Sequence, residues 1–257
     1  MTKIRTLTLG EGLPKICVPI VGTCREEIET AAKTVMEHHP DLVEWRGDFL
    51  EGIRKPEEVA DCLFLLRQIL KETPLLFTIR TKAEGGEQEL SIEEYEEINQ
   101  AVIQSGLADA VDVELFLGEQ TAERLIASAH AHGMIVIGSN HDFEKTPEEE
   151  ELVARLCRMQ ELGMDVAKIA VMPKSSRDVL ILLSATERMK REHPKTPVIT
   201  MSMGGRGVLS RMAGEVFGSA LTFAMVGKAS APGQVPIEEL RSIVKALHQY
   251  SGNQDAG

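Results

Sequence analysis

The chain has 257 residues, 43% hydrophobic and 26% charged, with a formal net charge of −12. A length near 250 residues suits one or two domains or a single α/β barrel, and the acidic balance argues against nucleic acid or an anionic membrane surface as partner. No apolar run approaches the roughly 18 residues of a membrane span, and the N-terminus lacks the apolar core of a signal peptide, so the expected location is cytoplasmic.

Four cysteines, Cys17, Cys24, Cys62 and Cys157, show no CxxC spacing. They read as reduced packing residues within strands and helices rather than a zinc site or a disulfide framework.

Residues 5–9 and 15–21 both look extended around the turn Gly10-Glu11-Gly12-Leu13-Pro14. This predicts an N-terminal β-hairpin over about 4–21 that runs into the first long strand at 15–22. Helical periodicity follows at 25–38, a strand at 41–48 and a helix at 56–71 with Pro56 in its first turn. The third strand, 74–80, leads to the loop 81–87, and Ser91 with Glu94 has the spacing of a capping box for a helix to 105. Strand four is 109–115, followed by a helix at 119–132 closed at Gly133, and strand five is 134–140.

A second capping box, Thr146 to Glu149 with Pro147 at the first helical position, opens a helix to 162. Strand six, 165–173, is followed by a helix at 175–192, and strand seven, 197–203, by a glycine-rich turn and a short helix at 207–217. Strand eight is 221–226, and the last helix, 236–250, precedes a polar tail at 251–257 expected to fray. Eight strand–helix units with uniformly apolar central strands predict a single (β/α)8 TIM barrel over 1–257. A doubly wound open sheet is the alternative, but neither GxGxxG nor GxxxxGK(S/T) occurs.

Barrel enzymes assemble their sites at the C-terminal ends of the strands. That rule collects Glu44, Arg46 and Asp48 from strand two, Arg80 and Glu84 from three, and Asp112 and Glu114 from four. It adds His141 from strand five, Lys168 from six, Met203 and Arg211 from seven, and the loop of Ser230 and Gln234 from eight. Lys168 is the sole cation of an otherwise apolar, β-branched strand. A buried ammonium needs a partner, and an uncharged amine there would be a nucleophile that condenses with a ketone or aldehyde. A histidine on the neighbouring strand can take the proton from the carbon next to the resulting imine.

Each of these residues also has a structural reading. Glu44 with Arg46 fits a buried ion pair, Asp112 with Glu114 fits polar residues that fix the barrel layers, and His141 beside Asp142 fits loop orientation. His130-x-His132 is weak as a metal site, since no carboxylate or cysteine cluster accompanies it.

Six segments taken in order are more specific: Glu44-Trp45-Arg46; Phe77-Thr78-Ile79-Arg80 with Glu84-Gly85-Gly86-Glu87; Ser139-Asn140-His141-Asp142-Phe143; Lys168 to Pro173; Thr200-Met201-Ser202-Met203; and Ser230-Ala231-Pro232-Gly233-Gln234. Together they resemble the type I 3-dehydroquinate dehydratases over nearly the whole chain. The resemblance implies a cofactor-independent, metal-free dehydration of 3-dehydroquinate to 3-dehydroshikimate, in the shikimate route to aromatic amino acids, by a homodimer. It implies that Lys168 forms the imine, that His141 removes the proton and then assists departure of the hydroxyl, and that Glu84 tunes His141. It further implies that Arg211 takes the substrate carboxylate and that Glu44, Arg46 and Arg80 hold ring hydroxyls. Ser230 and Gln234 then belong to a closing loop, and Met203 packs near the ring.

Two departures stand out. Pro19 occupies a position where many relatives have a serine, and the turn Gly204-Gly205-Arg206-Gly207 adds glycine and Arg206. A phosphosugar aldolase with the same imine chemistry is the alternative activity, with that turn as its phosphate site. A catalytically silent barrel that binds a cyclic acid is a third reading, disfavoured by the joint presence of Lys168, His141 and Glu84.

Overall fold

A computed structural model of the protein describes residues 1–227 and 229–251. Its first two strands, β1 (Thr2–Ile4) and β2 (Leu7–Leu9), pair antiparallel around Arg5 and Thr6. The predicted N-terminal hairpin is therefore present, but its partner strand lies upstream at 2–4 and not at 15–21. Ile4 and Leu9 are buried with Leu42, Leu76 and Ile137, so the hairpin closes the bottom of the barrel with its own apolar side chains.

The next strands are β3 (Lys15–Ile20), β4 (Leu42–Arg46), β5 (Leu75–Thr78), β6 (Ala110–Glu114), β7 (Ile135–Asp142), β8 (Val166–Val171), β9 (Val198–Ser202) and β10 (Leu221–Met225). With β11 (Val235–Pro236) they form, among the described residues, one nine-stranded parallel sheet that runs from β11 through β10 and β3 to β9. Every residue of β4, β5, β6, β8 and β9 is buried, as expected of strands covered on both faces. Alternate residues divide between two layers: Ala167, Ile169 and Val171 of β8 join the cluster beneath the helices, while Val166 and Ala170 join the one inside the barrel.

The curled sheet closes between β9 and β10. At the lower end Ala220 N donates to Val198 O at 2.8 Å, and Thr200 N donates to Ser219 Oγ at 3.1 Å. At the upper end β11 lies parallel to Ala224 and Met225, and Gly204 N donates to Pro232 O at 3.1 Å. The segment after β10 thereby fills the upper seam. A Cβ on Gly233 would stand 2.5 Å from Gly204 O, so the close approach of the two turns needs glycine there.

The helices are α1 (Arg25–Met36), α2 (Pro56–Leu70), α3 (Ile92–Ser105), α4 (Glu119–Ala131), α5 (Glu149–Glu161), α6 (Ser176–Glu192), α7 (Val208–Met212), α8 (Gly214–Phe217) and α9 (Ile237–Ser251). The capping box of Ser91 and Glu94 forms, and Pro56 stands in the first turn of α2. The expected box at Thr146 does not form. Thr146 Oγ1 donates instead to Met172 O at 3.2 Å, and α5 starts at Glu149, so a tertiary partner wins over the local cap.

The helix expected over 207–217 is broken at Ala213, next to Gly214, a residue of low helix propensity. Cys24 lies exposed at the start of α1 and is not a packing residue, whereas Cys17 and Cys62 are buried. Ser251 ends α9, and the tail at 252–257 lies outside the described residues. Among the described residues no helix is long and apolar enough to cross a membrane.

Candidate active site

Lys168 sits midway along β8, on the face turned into the barrel, and is 3% exposed. Its Nζ donates to Asp112 Oδ2 at 3.0 Å, lies 3.9 Å from Glu44 Oε1 and stands 5.0 Å from the centroid of the Phe223 ring. The other oxygen of Asp112 accepts from Arg80 Nη2 at 2.9 Å and from Ser139 Oγ at 2.6 Å. Burial pushes the Asp112 carboxyl up, but Arg80, Lys168 and the Ser139 hydroxyl outweigh it and hold the group below the usual carboxylate range.

His141 follows on β7, next to β8. Its Nδ1 lies 2.8 Å from Glu84 Oε2, which also accepts the His141 backbone N–H at 2.9 Å, while Asn140 Nδ2 donates to Glu84 Oε1 at 3.0 Å. Glu84 stands in a short 3-10 turn after β5, ended by Gly85 at φ +84°. Burial, with Glu114 second, raises the Glu84 carboxyl to about 7 against the pull of Arg80. Burial also drives His141 well below the ordinary imidazole value, reinforced by Arg80, Lys168 and Arg46. The result is a neutral imidazole at neutral pH. With Glu84 ionised, Nδ1 carries the hydrogen and Nε2 keeps its lone pair, the arrangement of a general base.

The three arginines differ in their partners. Arg46 forms a two-pronged pair with Asp48, both contacts at 2.7 Å, so the buried pair read from the sequence is made with Asp48 rather than with Glu44. Asp48 also accepts from the backbone of Arg80 and Glu87, which fixes the loop carrying Glu84. Glu44 Oε1 accepts from Thr78 Oγ1 at 2.8 Å. Arg80 reaches Glu114 Oε1 at 2.7 Å and Ser139 Oγ at 3.0 Å besides Asp112, so Asp112 and Glu114 act as the anions of one buried network.

Arg211 is 2% exposed, and among the described residues no carboxylate is placed to pair with it. Its Nη2 donates to Pro232 O at 3.0 Å, its Nη1 lies 3.6 Å from Met201 Sδ, and its Nε has no hydrogen-bond partner. Desolvation alone lowers it to about 10. A buried guanidinium with open donors is suited to a carboxylate that arrives from outside.

These side chains border a cavity of about 160 Å³. Glu44, Arg46, Arg80, Glu84, His141, Lys168, Met203, Arg211, Ser230 and Gln234 all line it. Ser230 N and Gln234 Oε1 are 2.8 Å apart, and Gln234 Nε2 donates to Ser230 Oγ at 3.1 Å, so the loop is held by its own two ends. Pro19 and Arg206 do not border the cavity: Pro19 lines a separate cleft beside α1, and Arg206 is exposed. Within that turn Gly207 serves packing, since a Cβ on it would meet Ser202 O at 2.3 Å, and Gly204 takes φ +70°.

The sequence reading missed the contact of Asp112 with Lys168 and the walls supplied by Phe143 and Phe223. Phe143 ends the segment Ser139-Asn140-His141-Asp142-Phe143 and Phe223 lies on strand eight, but nothing in one-dimensional order distinguishes a cavity wall from core. His130 pairs with Asp165 at 2.9 Å, and among the described residues no group of three or more His, Cys, Asp or Glu is placed to hold a metal ion.

The family model described as type I 3-dehydroquinase matches residues 16–251. A 3-dehydroquinate dehydratase of Bacillus licheniformis is 50% identical over 249 residues, covering 97% of this chain and 98% of that one. One of Clostridioides difficile is 48% identical over 247 residues, covering 96% and 97%. Among solved structures, the type I 3-dehydroquinate dehydratase of Clostridium difficile with covalent modified comenic acid superposes with a TM-score of 0.94 at 47% identity, covering 97% of this chain and 98% of that one. With a matching barrel and matches along nearly its full length, the chain belongs to the type I 3-dehydroquinase family.

Proposed function

We propose that the protein, acting as one cytoplasmic barrel domain and as a homodimer, dehydrates 3-dehydroquinate to 3-dehydroshikimate through an imine on Lys168. The observation that carries this reading is the placing of the Lys168 amine and His141 on adjoining strands around one cavity, with Glu84 held against His141 and Arg211 on the cavity wall. The covalent comenic acid of the Clostridium difficile relative supports it further, because comenic acid is itself a cyclic carboxylic acid.

In this reading Arg211 takes the substrate carboxylate, while Glu44, Arg46 and Arg80, all on the cavity wall, meet ring hydroxyls. The unprotonated amine of Lys168 adds to the ketone carbon, and the carbinolamine loses water to give the imine. His141 Nε2 then removes a proton from the carbon next to the imine, leaving its electron pair in an enamine. Collapse of the enamine expels the hydroxyl one carbon further on, and the His141 proton leaves with it as water. Hydrolysis of the product imine consumes one water, offsetting the one released at imine formation, and frees Lys168, so the net change is loss of one water. Glu84 stabilises the imidazolium formed in between, as an oriented carboxylate does for a catalytic histidine.

Incubation with 3-dehydroquinate and borohydride is expected to leave a reduced adduct on Lys168, located by peptide mass spectrometry. An adduct confined to another lysine would sink the proposal. Lys168→Ala is expected to abolish turnover, and His141→Ala to form the trapped adduct yet stall before elimination.

A further inference from the structure

Asp112 lies in the middle of β6, completely buried, and its two oxygens face two different cations. Oδ2 accepts from Lys168 Nζ at 3.0 Å, and Oδ1 accepts from Arg80 Nη2 at 2.9 Å and Ser139 Oγ at 2.6 Å. The strand beneath is clasped by Tyr95 of α3, whose hydroxyl donates to Asp112 O at 3.2 Å and accepts from Glu114 N at 3.4 Å. A lysine side chain has four flexible bonds and holds no single position by itself. The other nearby carboxylate, Glu44, is 3.9 Å from Nζ and already accepts from Thr78, so Asp112 is the group that sets where the amine rests.

Arg80 carries the connection onward. Its Nη1 lies 3.7 Å from Glu84 Oε2, the oxygen that contacts His141 Nδ1 at 2.8 Å. Contacts therefore run unbroken from Lys168 through Asp112, Arg80 and Glu84 to His141. We propose that Asp112 is a positioning residue that docks the Lys168 amine and, through Arg80, ties the nucleophile to the Glu84–His141 pair. This rests on the imine reading above and deepens it.

The groups facing Glu84 are Arg80 from the end of β5, Glu114 and Asp112 from β6, and Asn140 and His141 from β7. The charge of Asp112 is one of the influences that raise Glu84. Removing it lowers Glu84 and shifts the acid limb of activity toward lower pH, which a role confined to holding the fold would not do.

The test compares Asp112→Asn, which keeps shape and removes charge, with Ser139→Ala, a milder loss at the same carboxylate. Single-turnover trapping of the Lys168 adduct with 3-dehydroquinate and borohydride reads docking, and the pH dependence of kcat/KM reads the link to Glu84. Asp112→Asn is expected to slow adduct formation about tenfold or more and Ser139→Ala about threefold, in line with the loss of a charge-assisted and of a neutral hydrogen bond. The acid limb of Asp112→Asn is expected at lower pH than in the unaltered protein.

If Asp112→Asn does not fold, the slowed adduct in Ser139→Ala carries the test. Unaltered adduct rates in the variants that fold would overturn docking, and a slowed adduct with an unmoved limb would overturn the link to the Glu84–His141 pair. Failure of the unaltered protein to form any Lys168 adduct would count instead against the imine reading itself.

Discussion

One oxygen of Glu84 holds His141 twice, through the ring Nδ1 at 2.8 Å and through the backbone N–H at 2.9 Å. The side chain that tunes the base thus also fixes the strand end from which the base projects. Ring orientation and protonation pattern follow from the same carboxylate, as in other sites where a histidine is held by a charged neighbour.

The raised Glu84 leads to a pH prediction. Below about pH 7 this carboxyl is protonated and no longer stabilises an imidazolium, so kcat/KM is expected to fall as pH drops through about 7. Glu84→Gln is expected to lower kcat about a hundredfold at pH 8 and to lose that limb. A pH–rate profile of both proteins checks it.

The same shift carries a stability consequence. Between its ordinary value of 4.5 and about 7, Glu84 keeps a proton in the folded state that the unfolded chain releases. Its favourable contribution is present below 4.5 and is lost as pH rises through about 7, an effect of roughly 3 kcal/mol. His141 works in the opposite sense, since its lowered value costs stability as pH falls below its ordinary 6.5. Urea unfolding of the unaltered protein and of Glu84→Gln from pH 4.5 to 8 separates the two: the difference between them is expected to change between pH 4.5 and about 7 and to be flat from there to 8.

Arg211 is buried without an anion among the described residues, and desolvation lowers it to about 10. Replacing a buried, uncompensated cation by an apolar side chain of similar reach relieves that desolvation. Arg211→Met is therefore expected to melt at the same temperature as the unaltered protein or above it, while its KM rises about a hundredfold from loss of a two-pronged charge-assisted contact. Thermal melts with and without a cyclic carboxylate check both parts: the ligand should raise the melting temperature of the unaltered protein and leave that of the variant unmoved.

Gly85 has φ +84°, and a Cβ built on it would lie 2.5 Å from Phe143 Cε2. Gly85→Ala is expected to cost roughly 1–3 kcal/mol through backbone strain and overpacking, and to disturb Glu84 next to it. In a Phe143→Ala background the packing part vanishes and the strain remains, so the cost should be smaller. A double-mutant cycle in urea measures the difference.

The loop after β10 is held by Ser230 and Gln234 and, through Pro232 O, by Gly204 and Arg211. Gln234→Ala is expected to raise KM about tenfold with a smaller change in kcat, because it removes hydrogen bonds that pre-order the loop. Steady-state kinetics together with the rate of proteolytic nicking at 230–234 checks it, nicking being faster in the variant.

The barrel was legible because its strands are short apolar runs and its helices carry a separate periodicity, so the order of elements survives projection onto one dimension. Boundaries were less so. The hairpin partner was misplaced because Thr2 to Ile4 is too short a run to stand out from the longer strand at 15–20. Thr146 had every local feature of a cap, yet its hydroxyl donates to Met172 O, a partner 26 residues away in sequence.

The sequence by itself determined which chemical groups stand at the strand ends: one amine, one imidazole, several carboxylates and three guanidinium groups in an order that matches a known family. Position at a strand end follows from covalent order and the alternation of side chains, both local properties. Partners do not. That Arg46 pairs with Asp48, that Lys168 rests on Asp112, that Arg211 is left without an anion and that Glu84 is raised while His141 is lowered were decided by tertiary structure. Electrostatic interaction and desolvation depend on distance and burial, and these are set only when eight strands close around a common interior.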